Sequence, residues 1–103
     1  MAQMVKIGTV HEFPLGIGKM VEAEGRYVAV FNVAGKLFAI DDTCPHQGAP
    51  LSEGPLVGHV VACPWHAAEF DVTTGKLLCP PGTCDVASYR VVVHGEEVSI
   101  EVP

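Results

Sequence analysis

The sequence is poor in positive charge, in long apolar stretches and in catalytic side-chain groupings, and each shortage removes a class of function. Lys and Arg number 6 against 12 Asp and Glu, for a formal net charge of −6. The few cations are scattered, so no basic stripe is present to neutralise phosphates, and nucleic acid is not an expected partner. No apolar run approaches the roughly 18 residues that a membrane-crossing helix needs, so no membrane association is expected. The first residues, MAQMVKIGTV, hold no basic segment followed by an apolar one. No secretory leader is visible there, and a cytoplasmic protein is the expectation. In that compartment the 4 cysteines are expected to bind metal or remain thiols rather than build a disulfide framework. No Ser–His–Asp grouping, phosphate-cradling Gly loop or acid–base carboxylate pair is identifiable, so no catalytic residue and no enzyme activity of its own are expected.

What remains is a chain of 103 residues, 49% apolar, enough for one domain over 1–103 with its own core. Its pattern is all-β. Val, Ile, Phe and Tyr recur in short runs divided by Gly, Pro, Asn and Asp, and no helical apolar stripe lasts three turns. The clearest strand is 97–102, where Val98, Ile100 and Val102 alternate with Glu97, Ser99 and Glu101. Residues 89–93 precede it across His94, Gly95 and Glu96, predicting a terminal hairpin. Residues 26–33 and 36–41 flank Ala34-Gly35 and predict another. Weaker strands are expected over 4–10 and 19–23, one continuous strand-like run over 56–62, and a strand pair over 68–78 that turns at Thr73-Thr74-Gly75.

Three segments break the β rhythm: 43–55, 63–66 and 79–84, all rich in Cys, Pro, His or Gly. They predict a small insertion of irregular loops carried on a rigid sheet, where chemistry usually sits. Two of them contain Cys44-Pro45-His46 and Cys63-Pro64-Trp65-His66, that is C-x-H, then 16 residues, then C-x-x-H. Each loop supplies one thiolate and one imidazole. A single zinc ion held by all four remains open on this pattern, although zinc sites more often pair Cys with Cys and His with His. Alternation suits a binuclear centre better, with Cys44 and Cys63 on one iron and His46 and His66 on the other. Two cysteines on one iron and two histidines on its partner is the Rieske [2Fe–2S] arrangement.

On these motifs the chain resembles the Rieske ferredoxins, small bacterial electron carriers that serve ring-hydroxylating dioxygenases. The resemblance extends over essentially the whole length. It implies a Rieske fold of antiparallel sheets, a cluster-binding part at about 43–85, and Cys44, His46, Cys63 and His66 as metal ligands of one [2Fe–2S] cluster. It also implies the partners: a flavin-dependent NAD(P)H reductase that supplies electrons and a terminal oxygenase that takes them, met by a monomer in transient complexes. His46 and His66 would form the exit path. The Rieske-like small subunit of NADH-dependent nitrite reductase, of similar size and scaffold, is the alternative.

Departures from the respiratory-chain relatives are informative. Those carry one extra Cys in each cluster loop, where this chain has Ala49 and Trp65, so that bridge cannot form. They also place a Ser and a Tyr where this chain has Ala68 and Phe70. Without those hydroxyls the reduced cluster is less stabilised, and the expected potential lies low in the roughly −150 to +300 mV Rieske span.

Of the other residues, Cys79 and Cys84 bracket Pro80-Pro81-Gly82-Thr83 and read as small buried thiols, with a disulfide or redox switch as the alternative. Trp65 reads either as a shield or docking residue or as plain packing. Pro45, Gln47, Ala49, Pro50, Pro64, Ala67 and Pro81 would surround it with a nearly uncharged rim suited to a brief contact. Asp41, Asp42, Glu53 and Glu69 read as a solvated face that could also steer partners. His11, His59 and His94 lack a partner Cys and are expected in turns or on the surface.

Overall fold

The apolar stretch Val28-Ala29-Val30-Phe31 is buried on both faces. A strand buried on both sides reads as a continuous apolar run instead of an alternation. The computed structural model describes residues 2–45, 48–65, 68–79 and 84–103, with Cys79 described by its backbone. Its strands are β1 (Gln3–Thr9), β2 (Gly18–Ala23), β3 (Arg26–Val33), β4 (Lys36–Asp41), β5 (Leu56–Val57), β6 (Val60–Ala62), β7 (Glu69–Asp71), β8 (Leu77–Cys79), β9 (Ser88–Tyr89), β10 (Val91–His94) and β11 (Glu97–Val102). They form three antiparallel sheets ordered β1-β11-β10, β2-β3-β4-β9 and β5-β6-β7-β8. The all-β, antiparallel expectation holds.

The four-stranded sheet containing β3 is the middle layer. Val28 and Val30 point to a lower core shared with Val98, Ile100 and Val102 of the β1-β11-β10 sheet. Ala29, Phe31 and Ile40 point the other way, into an upper core with Val61, Phe70 and Val72 of the β5–β8 sheet. The upper core also contains Cys44 and Cys63. The loops that carry chemistry are therefore seated on the middle sheet by the alternate residues of β3 and β4.

The hairpin of β3 and β4 falls where the sequence places it, and its turn residues Ala34 and Gly35 both have positive φ, 52° and 94°. Such a turn matches the twist of the flanking strands. Three expectations change. Residues 56–62 are not one strand but a hairpin, β5 and β6, paired Leu56↔Val61 and Val57↔Val60 and turned at Gly58, φ 62°. Residues 89–93 are split at Arg90, because Ser88 and Tyr89 pair with β4 while Val91 onward pairs with β11. Finally, β1 stops at Thr9: Val10–Glu12 form a 3-10 turn whose Glu12 carboxylate accepts the Thr9 N–H at 2.7 Å. That bond, together with nearby Lys19, holds the Glu12 carboxyl below its usual range despite some desolvation.

Candidate metal centre

The two cysteine loops close in the same way. In the first, Thr43 bridges Pro50, and just inside that bridge the Cys44 N–H donates to the Ala49 carbonyl at 2.8 Å. In the second, Ala62 pairs with Glu69, and just inside that pair the Cys63 N–H donates to the Ala68 carbonyl at 2.7 Å. Each is a six-residue loop beginning on Cys and ending on a fully buried Ala. In the first, the Gly48 N–H also donates to the Cys44 carbonyl at 2.8 Å, with Gly48 at φ 80°.

Closed like this, the loops bury both sulfur atoms. Cys44 is 1% exposed and Cys63 2%, in one cluster with Leu51, Val61 and Phe70, and neither is joined in a disulfide. Two thiols brought into one apolar core by matching loops fit the sulfur half of a binuclear iron site. His46 and His66, the expected nitrogen half, lie outside the described residues, as do Gln47, Ala67, Pro80 and Pro81. Among the described residues no group of three or more His, Cys, Asp or Glu side chains gathers into a metal site. They supply the thiol pair alone.

The positions read as departures are now placed. Ala68 and Phe70 are fully buried in the upper core and bring no hydroxyl to it. Ala49 is buried too, so it belongs to the floor of the loop and not to an exposed rim. Pro50 is half-buried, while Pro45 and Pro64 are exposed and Trp65 is 60% exposed. Cys84 is an exposed free thiol, which corrects its reading as a buried one.

Two acids read as a solvated face have structural work instead. Asp41 accepts the Tyr89 hydroxyl at 2.5 Å and the Ala87 N–H at 3.2 Å, tying β4 to the segment that returns from residues 84–87. Burial and that carboxylate push the Tyr89 hydroxyl above its usual pKa, against a smaller opposing effect of Arg26. Asp42 is only 6% exposed and accepts the Ser52 N–H at 2.8 Å. No sequence pattern marks these roles, because both depend on partners 10 to 48 residues away. Glu53 and Glu69 are exposed as expected. His11 and His59 are exposed and bonded to Glu96 (2.8 Å) and Asp71 (3.2 Å), and His94 is exposed at the end of β10.

The profile of the Rieske [2Fe-2S] domain matches residues 3–90. The chain belongs to the Rieske [2Fe–2S] family. It is 38% identical to the ferredoxin component of the naphthalene 1,2-dioxygenase system of Pseudomonas aeruginosa, over 90% of this chain and 89% of that one. Among solved structures it resembles the ferredoxin of carbazole 1,9a-dioxygenase from Nocardioides aromaticivorans, with TM-score 0.91, 29% identity, and 95% and 96% of the two chains covered. A complex of reduced oxygenase and oxidised ferredoxin from carbazole 1,9a-dioxygenase gives TM-score 0.88 at 34% identity, covering 94% of this chain and 91% of that one. A protein assigned as an NADPH nitrite reductase small subunit follows at 0.82 and 26%, with 95% and 97% covered. This ferredoxin thus holds a Rieske [2Fe–2S] cluster and is an electron-transfer component, as its relatives are, and not a catalytic subunit.

Proposed function

We propose that Cys44 and Cys63 hold one iron and His46 and His66 the other, and that the ferredoxin carries single electrons from a flavin-dependent NAD(P)H reductase to a terminal oxygenase. The observation that carries this reading is the pair of thiols buried together by two loops of one design. When bound, such a cluster accepts and returns one electron at a time. Residues 1–103 act as one domain, with the cluster-binding part at about 43–85. The carbazole ferredoxin seen together with its oxygenase supports the same kind of partner here.

The chain's own residues set the conditions for transfer. Pro45, Pro64 and Trp65 present an exposed surface without charge next to the ligand positions. Small contacts of that kind form and release quickly, as expected of a monomer that meets its partners in transient complexes. Ala68 and Phe70 offer no hydroxyl to the cluster, so the potential lies towards the lower end of the roughly −150 to +300 mV Rieske range. Among the described residues no helix is long and apolar enough to cross a membrane. The net charge of −6 disfavours nucleic acid. A cytoplasmic carrier is consistent with both.

The test is reconstitution. Purified ferredoxin should contain iron and sulfide, give a rhombic EPR signal after dithionite, and restore NAD(P)H-driven turnover when added to a reductase and oxygenase that lack their own carrier. A colourless zinc protein would overturn the ligand assignment. Isolation as a fixed subunit of a nitrite-reducing complex would favour the alternative instead.

A further inference from the structure

Although the two cysteine loops close alike, their stems differ. The Cys63 loop is the end of a β6–β7 ladder, Val60↔Asp71, Val61↔Phe70 and Ala62↔Glu69. The Cys44 loop has only the isolated Thr43↔Pro50 bridge. The missing ladder is replaced at one residue. The Asp42 N–H donates to the Tyr27 carbonyl at 3.0 Å, its carbonyl accepts the Leu51 N–H at 2.6 Å, and its carboxylate accepts the Ser52 N–H at 2.8 Å. Asp42 therefore ties both ends of the loop to each other and to β3.

Its carboxylate is also unusual electrostatically. It is 6% exposed, and among the described residues no Lys, Arg or His forms an ion pair with it. The group recorded at the carboxylate is the Ser52 N–H, while Leu51 and Tyr27 meet the Asp42 backbone. Asp41, by contrast, shares its neighbourhood with Tyr89 and Arg26, and Glu53 is exposed to solvent. A buried carboxylate acts through a low dielectric and is little screened by salt, whereas an exposed one is largely screened.

We propose that Asp42 is a positioning residue of the cluster site that also sets its potential: it holds the Cys44 loop shut and, as a buried negative charge two residues before that ligand in the chain, opposes the added electron. The proposal rests on Cys44 being a cluster ligand. Reduction adds one negative charge to the cluster, and a fixed negative charge nearby makes the reduced state less favourable. The carboxylate thus works in the same direction as the missing hydroxyls at Ala68 and Phe70.

Asp42→Asn keeps an oxygen that can accept the Ser52 N–H but removes the charge. With iron content and EPR signal as in the wild type, its midpoint potential should rise, and the rise should be the same at low and high salt. Glu53→Gln, changing an exposed acid of the same segment, should move the potential less, with an effect that vanishes at high salt. Asp42→Ala, which lacks the acceptor as well, should lose its cluster several-fold faster than Asp42→Asn. An unchanged potential in a fully loaded Asp42→Asn protein overturns the proposal. If that variant holds no cluster, Asp42→Ser provides the second neutral acceptor. Failure of both would leave Asp42 as a folding residue and overturn its role in the potential. Absence of iron and sulfide from the wild type would instead sink the ligand assignment on which the proposal rests.

Discussion

The upper and lower halves of this ferredoxin bury their side chains by different means. Below the middle sheet, β11 presents an ordinary alternation, with Val98, Ile100 and Val102 inward and their neighbours towards solvent, and β1 and β10 flank it. Ladders of four to six pairs there satisfy the backbone, interrupted once by a bulge between Lys6 and Gly8, and the core is purely apolar apart from Tyr89. Above it, strands shrink to two or three residues, and most of the connections are longer than the strands they join. Turn bonds, buried alanines and the carboxylate of Asp42 supply what ladders supply below. The comparison teaches that the site half depends on few contacts, each of which matters, while the scaffold half spreads its stability over many.

The largest effect should come from the sulfur atoms. Cys44→Ala and Cys63→Ala are each expected to abolish the visible spectrum and the iron content, to the same extent, because each removes one of two thiolates on the same iron. A variant of either that retained a full cluster would break the equivalence. Next come the two cores. Phe70→Ala opens the upper core beneath the Cys63 loop and should cost about 3–5 kcal/mol, whereas Ile100→Ala in the lower core should cost about 2–5 kcal/mol. Denaturant unfolding measures both losses. The sharper readout is cluster release below the unfolding midpoint: it should accelerate in Phe70→Ala and stay near wild type in Ile100→Ala. Equal release rates would show that the halves are not separable.

The scaffold half was largely legible in the sequence, and the reason is physical. Strand 97–102 alternates because one face is wet, and the hairpin of β3 and β4 announces itself by Gly35, which takes positive φ without a Cβ clash. The two cysteine loops were marked as well, by Cys, Pro and Gly that break the β rhythm, and both thiols are buried in one core. The connections and the support of the site were not. Nothing local tells that 56–62 folds back at Gly58, as a short apolar run fits a strand or a hairpin equally well. Nor does the chain around Asp42 reveal that its carboxylate is buried. That follows from Ser52 and Tyr27 arriving from elsewhere, and an acid next to another acid reads locally as a wet surface.

A smaller effect should separate close packing from backbone freedom. Gly54 lies where the exit of the first loop meets the entry of the second, and a Cβ there would stand 1.9 Å from the Ala62 carbonyl oxygen. Gly58 has open space around it and only its φ of 62° to defend. Gly58→Ala should therefore cost about 1 kcal/mol. Gly54→Ala should cost more, because backbone has to move, and it should loosen the cluster where Gly58→Ala does not. Similar losses in urea titrations of the two variants would mean that the loops are not pressed together at Gly54.

The smallest effect concerns the outer turns of the upper half and is set by pH. Burial alone would raise the Asp71 pKa, but the Thr73 hydroxyl and N–H, at 2.6 and 2.9 Å, and His59 outweigh it and hold the carboxyl below its usual value. A depressed folded-state pKa means that the unfolded chain takes up the proton first. The stability contributed is therefore present in full above the ordinary Asp pKa of about 3.9 and is lost as pH falls through the lower folded value. Asp71→Asn should flatten that stretch of the stability curve while leaving the potential unchanged, since the turn of β7 and β8 lies away from both cysteine loops. A potential that moved with Asp71→Asn would couple this turn to the cluster and erase the contrast with Asp42, the one acid expected to act on it from within.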